Sequence, residues 1–145
     1  MSRRSAGEER SLRTRSRILD DPGLVESGFR PTATERETAA GPVDVFGADA
    51  DDRPVVVELK RRRVGPSAAS QLRRYVDAVD EEFPDEGVRG ILVAPSVTDR
   101  AAALLDEQGL GFVSLAPPEG AGGASEVGAV ADEAGMESGP DGDEQ

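Results

Sequence analysis

The run Val55-Val56-Val57-Glu58-Leu59-Lys60 constrains this chain more than any other stretch. Consecutive β-branched residues favour a pleated strand, and period-two alternation places Val55, Val57 and Leu59 on one face. Glu58 and Lys60 then project together from the other. A Val-rich central strand that ends in two charges on one face calls for more than a surface ion pair. Lys60 is also the only lysine among 17 basic residues. A compact ammonium and a guanidinium are interchangeable on a solvated face, but not where one point charge must fit beside a carboxylate and a water.

The flanking pattern supplies the rest of a sheet. Thr32 to Glu37 reads as an entering strand, Pro42 to Ala48 as a second that begins at a glycine turn, and Arg53 to Arg61 as the third. The acidic stretch Asp49-Ala50-Asp51-Asp52 is the polar hairpin loop between the last two, so the sheet is expected to start antiparallel. The period then changes to 3.6. From Pro66 to Val79, the residues Ala68, Leu72, Tyr75, Val76 and Val79 form one apolar stripe, which predicts a helix packed on the sheet. Val88 to Pro95 predicts a strand, Val97 to Glu107 a second amphipathic helix and Leu110 to Leu115 a final strand. This αβ and βαβ order predicts later strands that are parallel and covered by helices, hence an α/β fold.

The ends differ in composition. Residues 1–20 form an arginine-rich N-terminal segment, expected to be frayed or weakly helical because apolar residues are sparse. Asp21-Pro22-Gly23 punctuates the chain before the main domain, residues 21–117. Pro117-Pro118 closes the last apolar run, and residues 118–145 hold eight acids, no base, seven Gly and two Pro. That composition predicts a disordered acidic tail. The formal net charge is −12, but the first 117 residues carry 17 bases against 21 acids. Such an excess suits concentrated salt, where repulsion is screened, so a halophilic source is expected.

Composition also removes whole classes of chemistry. With no Cys and no His, disulfides, thiol catalysis, imidazole triads and Cys/His zinc sites are excluded. Any metal must sit on oxygen. No run of about 18 apolar residues is present, and the arginine-rich start lacks a signal peptide's apolar stretch, so a cytoplasmic location without membrane contact is expected.

Asp44 is the next carboxylate. It interrupts Val43-Asp44-Val45-Phe46, where a structural strand more readily takes an apolar residue. Antiparallel pairing can bring it beside Glu58, giving an anionic oxygen site suited to Mg²⁺ or Mn²⁺. Such an ion can stabilise charge on phosphoryl oxygens and acidify a water, with Lys60 orienting that water. Gln71 and Tyr75 lie four apart on the helix and can reach the rim of the same site. Arg61, Arg62, Arg63, Arg73 and Arg74 form a basic region fitted to phosphates.

Together, Gly41-Pro42-Val43-Asp44, Glu58-Leu59-Lys60, Gln71 and Tyr75 resemble the C-terminal nuclease domain of the NucS/EndoMS endonucleases, within the restriction-endonuclease-like PD-(D/E)xK superfamily. The resemblance rests on the stretches GPVDVFGAD, RPVVVELKRR, SQLRRYVDAV and VRGILVAPSVTDRAAALLDEQGLGFVSL and covers about residues 21–117. It implies a restriction-endonuclease-like mixed β-sheet flanked by helices. It also implies a divalent ion held by Asp44 and Glu58, hydrolysis assisted by Lys60, and a site completed by Gln71 and Tyr75.

Members of that family cleave DNA, including branched or single-stranded regions and, in some cases, both strands at mismatches. The resemblance further implies a helical acid ahead of the first strand, for which Glu8 or Glu9 is the nearest candidate and Glu26 a less favoured one. Pro42 stands where relatives carry a basic or polar residue. The family's N-terminal dimerising and DNA-recognising domain has no counterpart here, so a separately encoded recognition subunit or a homodimer is expected. The tail lacks the terminal aromatic motif of clamp-binding relatives, and sliding-clamp binding is not expected. Two functions follow: a metal-dependent DNA endonuclease, with a role in DNA repair, or a DNA-binding or regulatory remnant of the nuclease fold with little turnover.

Overall fold

The central strand is buried on both faces, and the rest of the chain is arranged to cover it. The structure, a computed structural model, describes residues 6–116, with side chains from residue 13 onward. The expected disordered tail, residues 118–145, lies outside the described residues. Five strands form one sheet in chain order: β1 (Arg30–Thr38), β2 (Gly41–Ala48), β3 (Pro54–Leu59), β4 (Arg89–Ala94) and β5 (Gly111–Ser114). β1, β2 and β3 pair antiparallel, whereas β3, β4 and β5 pair parallel. The mixed α/β sheet and both expected pairing senses are therefore present.

Alternation along β3 builds two cores. Val55, Val57 and Leu59 meet Ile91 and Val93 of β4 on one face, under Ile18, Val25 and Phe29. Val56 and Leu92 face the other way, against Ala68, Ala69, Leu72, Val76 and Val79 of α2 (Pro66–Glu82). α3 (Asp99–Glu107) adds Leu105 to that second core. Thr98 caps α3 by accepting the Ala101 N–H at 3.1 Å, which is why the helix starts two residues later than the apolar pattern suggests. Val97 instead forms a bridge with Val64. Gly90 lets α2 lie close on β4, because a Cβ there would come within 2.5 Å of Val76 Cγ2.

Of the two forms expected for the N-terminal segment, frayed or weakly helical, the fold takes the helical one. Residues Ala6–Asp20 form a 15-residue helix, α1, that packs on the sheet. Among its described side chains, Ile18 is fully buried and Thr14, one turn earlier, is also buried. Apolar residues are sparse along AGEERSLRTRSRILD, so the sequence carries almost no periodic signal, although packing holds the helix in place. Other boundaries shift slightly. β1 begins at Arg30, and β3 ends at Leu59 rather than Arg61, with Lys60 just beyond it. The acidic hairpin loop is organised by Asp49, whose Oδ1 accepts the N–H groups of Asp51 and Arg53, both at 2.9 Å. Arg36 ties the edge strand to α2 by pairing with Glu82 at 2.6 Å and lying over the Phe46 ring.

Candidate active site

The β2–β3 ladder runs from Ala48↔Pro54 to Val45↔Val57 and stops one step short of Asp44 and Glu58. At that point the Asp44 carboxylate replaces the backbone: its Oδ2 accepts the Leu59 N–H at 2.8 Å. Asp44 is thereby fixed to β3 beside Glu58. Glu58 is only 5% exposed. Burial, and next the neighbouring Asp44 charge, push its carboxyl up to about 8 against the opposing pull of Lys60. Asp44 is also raised, by burial first, while the Leu59 N–H, Lys60 and Arg15 work against that rise.

The lysine is held in the same place. Lys60 Nζ donates to Gln71 Oε1 at 2.8 Å and sits 3.7 Å from Glu58 Oε2. Its backbone N–H donates to the Val93 carbonyl at 2.8 Å, which continues the β3–β4 pairing past the strand end and fixes the side chain's direction. Tyr75, one turn after Gln71, is buried, and its hydroxyl is raised by burial and then by the Glu58 and Asp44 charges. Gly41, at φ +122°, passes so close that a Cβ would lie 3.4 Å from Tyr75 Oη. The fold thus brings Asp44, Glu58, Lys60, Gln71 and Tyr75 to one place, on the α2 side of the sheet where β2 and β3 part.

Other candidates lie elsewhere. Glu26 forms a bidentate ion pair with Arg89, at 2.6 and 2.8 Å, and Arg89 also binds Asp49 at 3.1 Å. Arg89 pairs with Val55 in the sheet, three residues before Glu58, so Glu26 belongs to a brace at the other end of the strands. The Glu8 and Glu9 side chains lie outside the described residues. Arg61, Arg62, Arg63 and Arg74 are exposed near the site. Arg73 turns away, to Asp77 at 2.9 Å and the Gln108 carbonyl at 3.2 Å.

Two residues near the site carried no signal in the sequence. Arg15 of α1 reaches Glu35 of β1 at 2.9 Å and is close enough to Asp44 to favour its ionised form. This ion pair spans 20 residues and follows no period, so neither alternation nor spacing pointed to it.

The donors suit a hard divalent cation. Glu58 Oε1 is buried without a hydrogen-bond partner among the described residues. An orphaned carboxylate oxygen beside a second carboxylate is costly unless a proton or a cation occupies the gap. Among the described residues no group of three or more acids gathers into a cage. Two carboxylates with an open side suit an ion that retains waters and takes phosphate oxygens as further ligands.

Comparison with known proteins agrees with the geometry. Residues 12–132 match the family described as the Endonuclease NucS C-terminal domain. The chain is 53% identical over 114 residues to Endonuclease NucS 1 of Halobacterium salinarum, covering 78% of this chain and 47% of that protein. It is 58% identical over 100 residues to Endonuclease NucS of Methanopyrus kandleri, covering 69% and 38% respectively. The crystal structure of a repair endonuclease from Pyrococcus abyssi superposes with a TM-score of 0.70 at 42% identity, over 81% of this chain and 50% of that one. A structure of an EndoMS–double-stranded DNA complex gives 0.70 at 41%, over 82% and 48%. The chain thus spans less than half the length of these two curated relatives. No helix among the described residues is long and apolar enough to cross a membrane. By sequence, sheet topology and the match over residues 12–132, the chain belongs to the NucS endonuclease C-terminal domain family.

Proposed function

We propose that this chain hydrolyses DNA phosphodiester bonds with the aid of Mg²⁺ or Mn²⁺ held by Asp44 and Glu58. When bound, the ion supplies charge stabilisation at the phosphoryl oxygens and makes a water easier to deprotonate. Asp44 presents one carboxylate, with its second oxygen committed to the Leu59 N–H so that it cannot swing away. Glu58 presents the unpartnered Oε1. Lys60, fixed by Gln71, orients the attacking water or offsets negative charge as the phosphorus centre is attacked. Tyr75 lines the site and contacts the nucleic-acid backbone. Arg61, Arg62, Arg63 and Arg74 bind flanking phosphates without reading sequence. Water is the nucleophile, and no covalent enzyme intermediate forms.

The observation that carries this reading is the buried Glu58 beside the half-buried Asp44, with Lys60 Nζ 3.7 Å from Glu58 and anchored on Gln71. A structural ion pair needs neither a second, half-buried carboxylate nor a buried carboxylate oxygen without a partner. Residues 21–117 are the proposed nuclease unit, acting on DNA in the cytoplasm. Branched, single-stranded or mismatched DNA in repair is the proposed substrate range, and a separate recognition subunit or a second copy of the chain is the proposed protein partner. The direct test is cleavage of single-stranded, duplex, flap and mismatched DNA with and without EDTA, at low and high salt. Folded Glu58→Ala and Lys60→Ala proteins should not cleave. Undiminished cleavage by either variant removes the mechanism, and binding without cleavage in both metals leaves a DNA-binding remnant.

A further inference from the structure

Glu35 and Asp44 lie side by side on neighbouring strands. The β1–β2 ladder pairs Thr34 with Val45 and Arg36 with Val43, which sets Glu35 across from Asp44. Glu35 does not sit there as an ordinary strand residue, because its φ is +49°. Non-glycine residues take that conformation only against a steric cost. Its carboxylate meets Arg15 Nη1 at 2.9 Å, with the Arg15 side chain 20% exposed and that of Glu35 66% exposed. An ion pair with one partner so open to solvent contributes little to stability and does not account for the strained backbone. Its effect is positional. The pair brings a guanidinium from α1 to Asp44, while Lys60 faces Glu58 from the α2 side. Lys60 acts on both carboxylates, and Arg15 adds a second positive charge on the Asp44 side.

We infer that Arg15, held by Glu35, is the second cation of the site and binds a backbone phosphate of the DNA there, giving up its attraction to Asp44 as the divalent ion enters. The inference rests on the nuclease reading. Arg15 is the group that touches substrate, and Glu35 is the residue that positions it. A guanidinium suits the task because its planar fork can engage a carboxylate and a phosphate together. Removing its charge should then have opposite effects on the two ligands. The divalent site should bind cations more tightly, because a repelling charge has gone, and DNA more weakly. A purely structural tie between α1 and β1 would weaken both.

The chain provides its own reporter, since Tyr75 is the only tyrosine and there is no tryptophan. Tb³⁺, used alone as the cation probe, should luminesce through Tyr75 when it occupies the site. DNA affinity is read by anisotropy of a fluorescein-labelled phosphorothioate single strand in Ca²⁺, which keeps the charge and resists cleavage. For Arg15→Gln we expect Tb³⁺ affinity to rise about threefold or more. Oligonucleotide affinity should fall about three- to tenfold, with a salt slope smaller by about 0.7. Arg15→Lys should restore the Tb³⁺ affinity, and Arg30→Gln, which removes a charge from the Asp52 pair, should change neither value. Glu35→Gln alters an exposed rim residue and does not depend on Arg15→Gln folding. It should weaken DNA binding, though less than Arg15→Gln does, because the guanidinium remains but is no longer held in place.

Losses of both affinities in folded Arg15→Gln, or no change in either, overturn the inference. The same holds if Glu35→Gln is unchanged. A wild-type protein that binds no Tb³⁺ overturns the nuclease reading and this inference with it. Metal-dependent cleavage together with unaltered Arg15→Gln affinities overturns this inference alone.

Discussion

Asp44 Oδ2 accepts the backbone N–H of Leu59 at 2.8 Å, so a metal-ligand candidate also closes the sheet where the β2–β3 ladder stops. The two roles separate by substitution. In Asp44→Asn the amide oxygen can still accept that N–H, whereas Asp44→Ala leaves a donor unpaired at a cost of about 1–3 kcal/mol. We expect Asp44→Asn to melt at or above the wild-type temperature in EDTA, because one of two crowded carboxylates becomes neutral. Asp44→Ala should melt roughly 5 °C or more lower. Neither should cleave DNA. Equal melting temperatures for the two variants would show that the hydrogen bond contributes nothing.

Glu58 makes the metal-free protein pH-sensitive in a predictable direction. Its folded pKa, about 8, is above the ordinary value of 4.5. Between those values the unfolded chain has released the proton while the folded chain still holds it, so stability must fall as pH rises through the window. Asp44, also raised, adds in the same sense. Glu26 and Glu82 are lowered by their arginine partners, and the stability they confer is lost only at pH below the ordinary carboxylate range. With no His and no Cys the window is otherwise nearly silent. Thermal melts in EDTA at about pH 5 and about pH 8 should show the lower midpoint at the higher pH, and Glu58→Gln should flatten the difference. Mn²⁺ should stabilise the protein more at the higher pH. A flat wild-type profile would mean that Glu58 is not held in this environment.

The legible part of the fold was the part built on short-range pattern. Period two along Val55 to Lys60 fixed which side chains share a face, because a strand buried on both sides tolerates charge only at its end. Asp44, Glu58, Lys60, Gln71 and Tyr75 could be read because one hairpin and the next helix carry all five. α1 could not be read so easily, since its sequence holds few apolar residues. Arg15 and Glu35 were invisible for a different reason: their pairing depends on a backbone conformation at Glu35 that nothing in the local sequence requires. Arg73 was grouped with its basic neighbours, yet the turn of α2 sends it to Asp77 and Gln108.

The burial of Ile18 on α1 has an energetic consequence. Ile18 is fully buried among Val25, Phe29 and the inward residues of β2, β3 and β4. Ile18→Ala should cost about 2–5 kcal/mol, the usual range for an aliphatic side chain cut back to Ala in a packed core. The protein should remain folded at low temperature with a melting midpoint lower by roughly 10 °C or more. A change of only a degree or two, measured by circular dichroism, would indicate that α1 is not docked in solution.

Lys60 tests whether the charge or its shape matters. Lys60→Arg keeps the cation but replaces a compact ammonium on Gln71 with a broad fork that needs room. We expect the turnover rate to fall by about 10²-fold or more, close to the loss in Lys60→Ala, with little change in melting temperature or DNA affinity. Gln71→Ala should give a smaller loss, because the ammonium remains but is no longer aimed. Near-normal turnover by Lys60→Arg would reduce Lys60 to a source of positive potential.

Salt should act on this protein in two opposed ways. The formal charge of −12 makes the folded chain repel itself, and added KCl screens that repulsion, so the melting temperature should rise with salt. Binding of phosphates by Arg61, Arg62, Arg63 and Arg74 releases counterions from DNA, so affinity should fall steeply over the same range. Cleavage at limiting DNA should therefore pass through a maximum as KCl increases. At saturating DNA the falling limb should move to higher salt, while the rising limb, set by folding, should stay where it is. Replacing the exposed Arg62 by Gln should flatten the falling limb without altering the melting curve. Cleavage that declines monotonically from the lowest salt, alongside a salt-independent melting temperature, would remove the link between surface charge and stability.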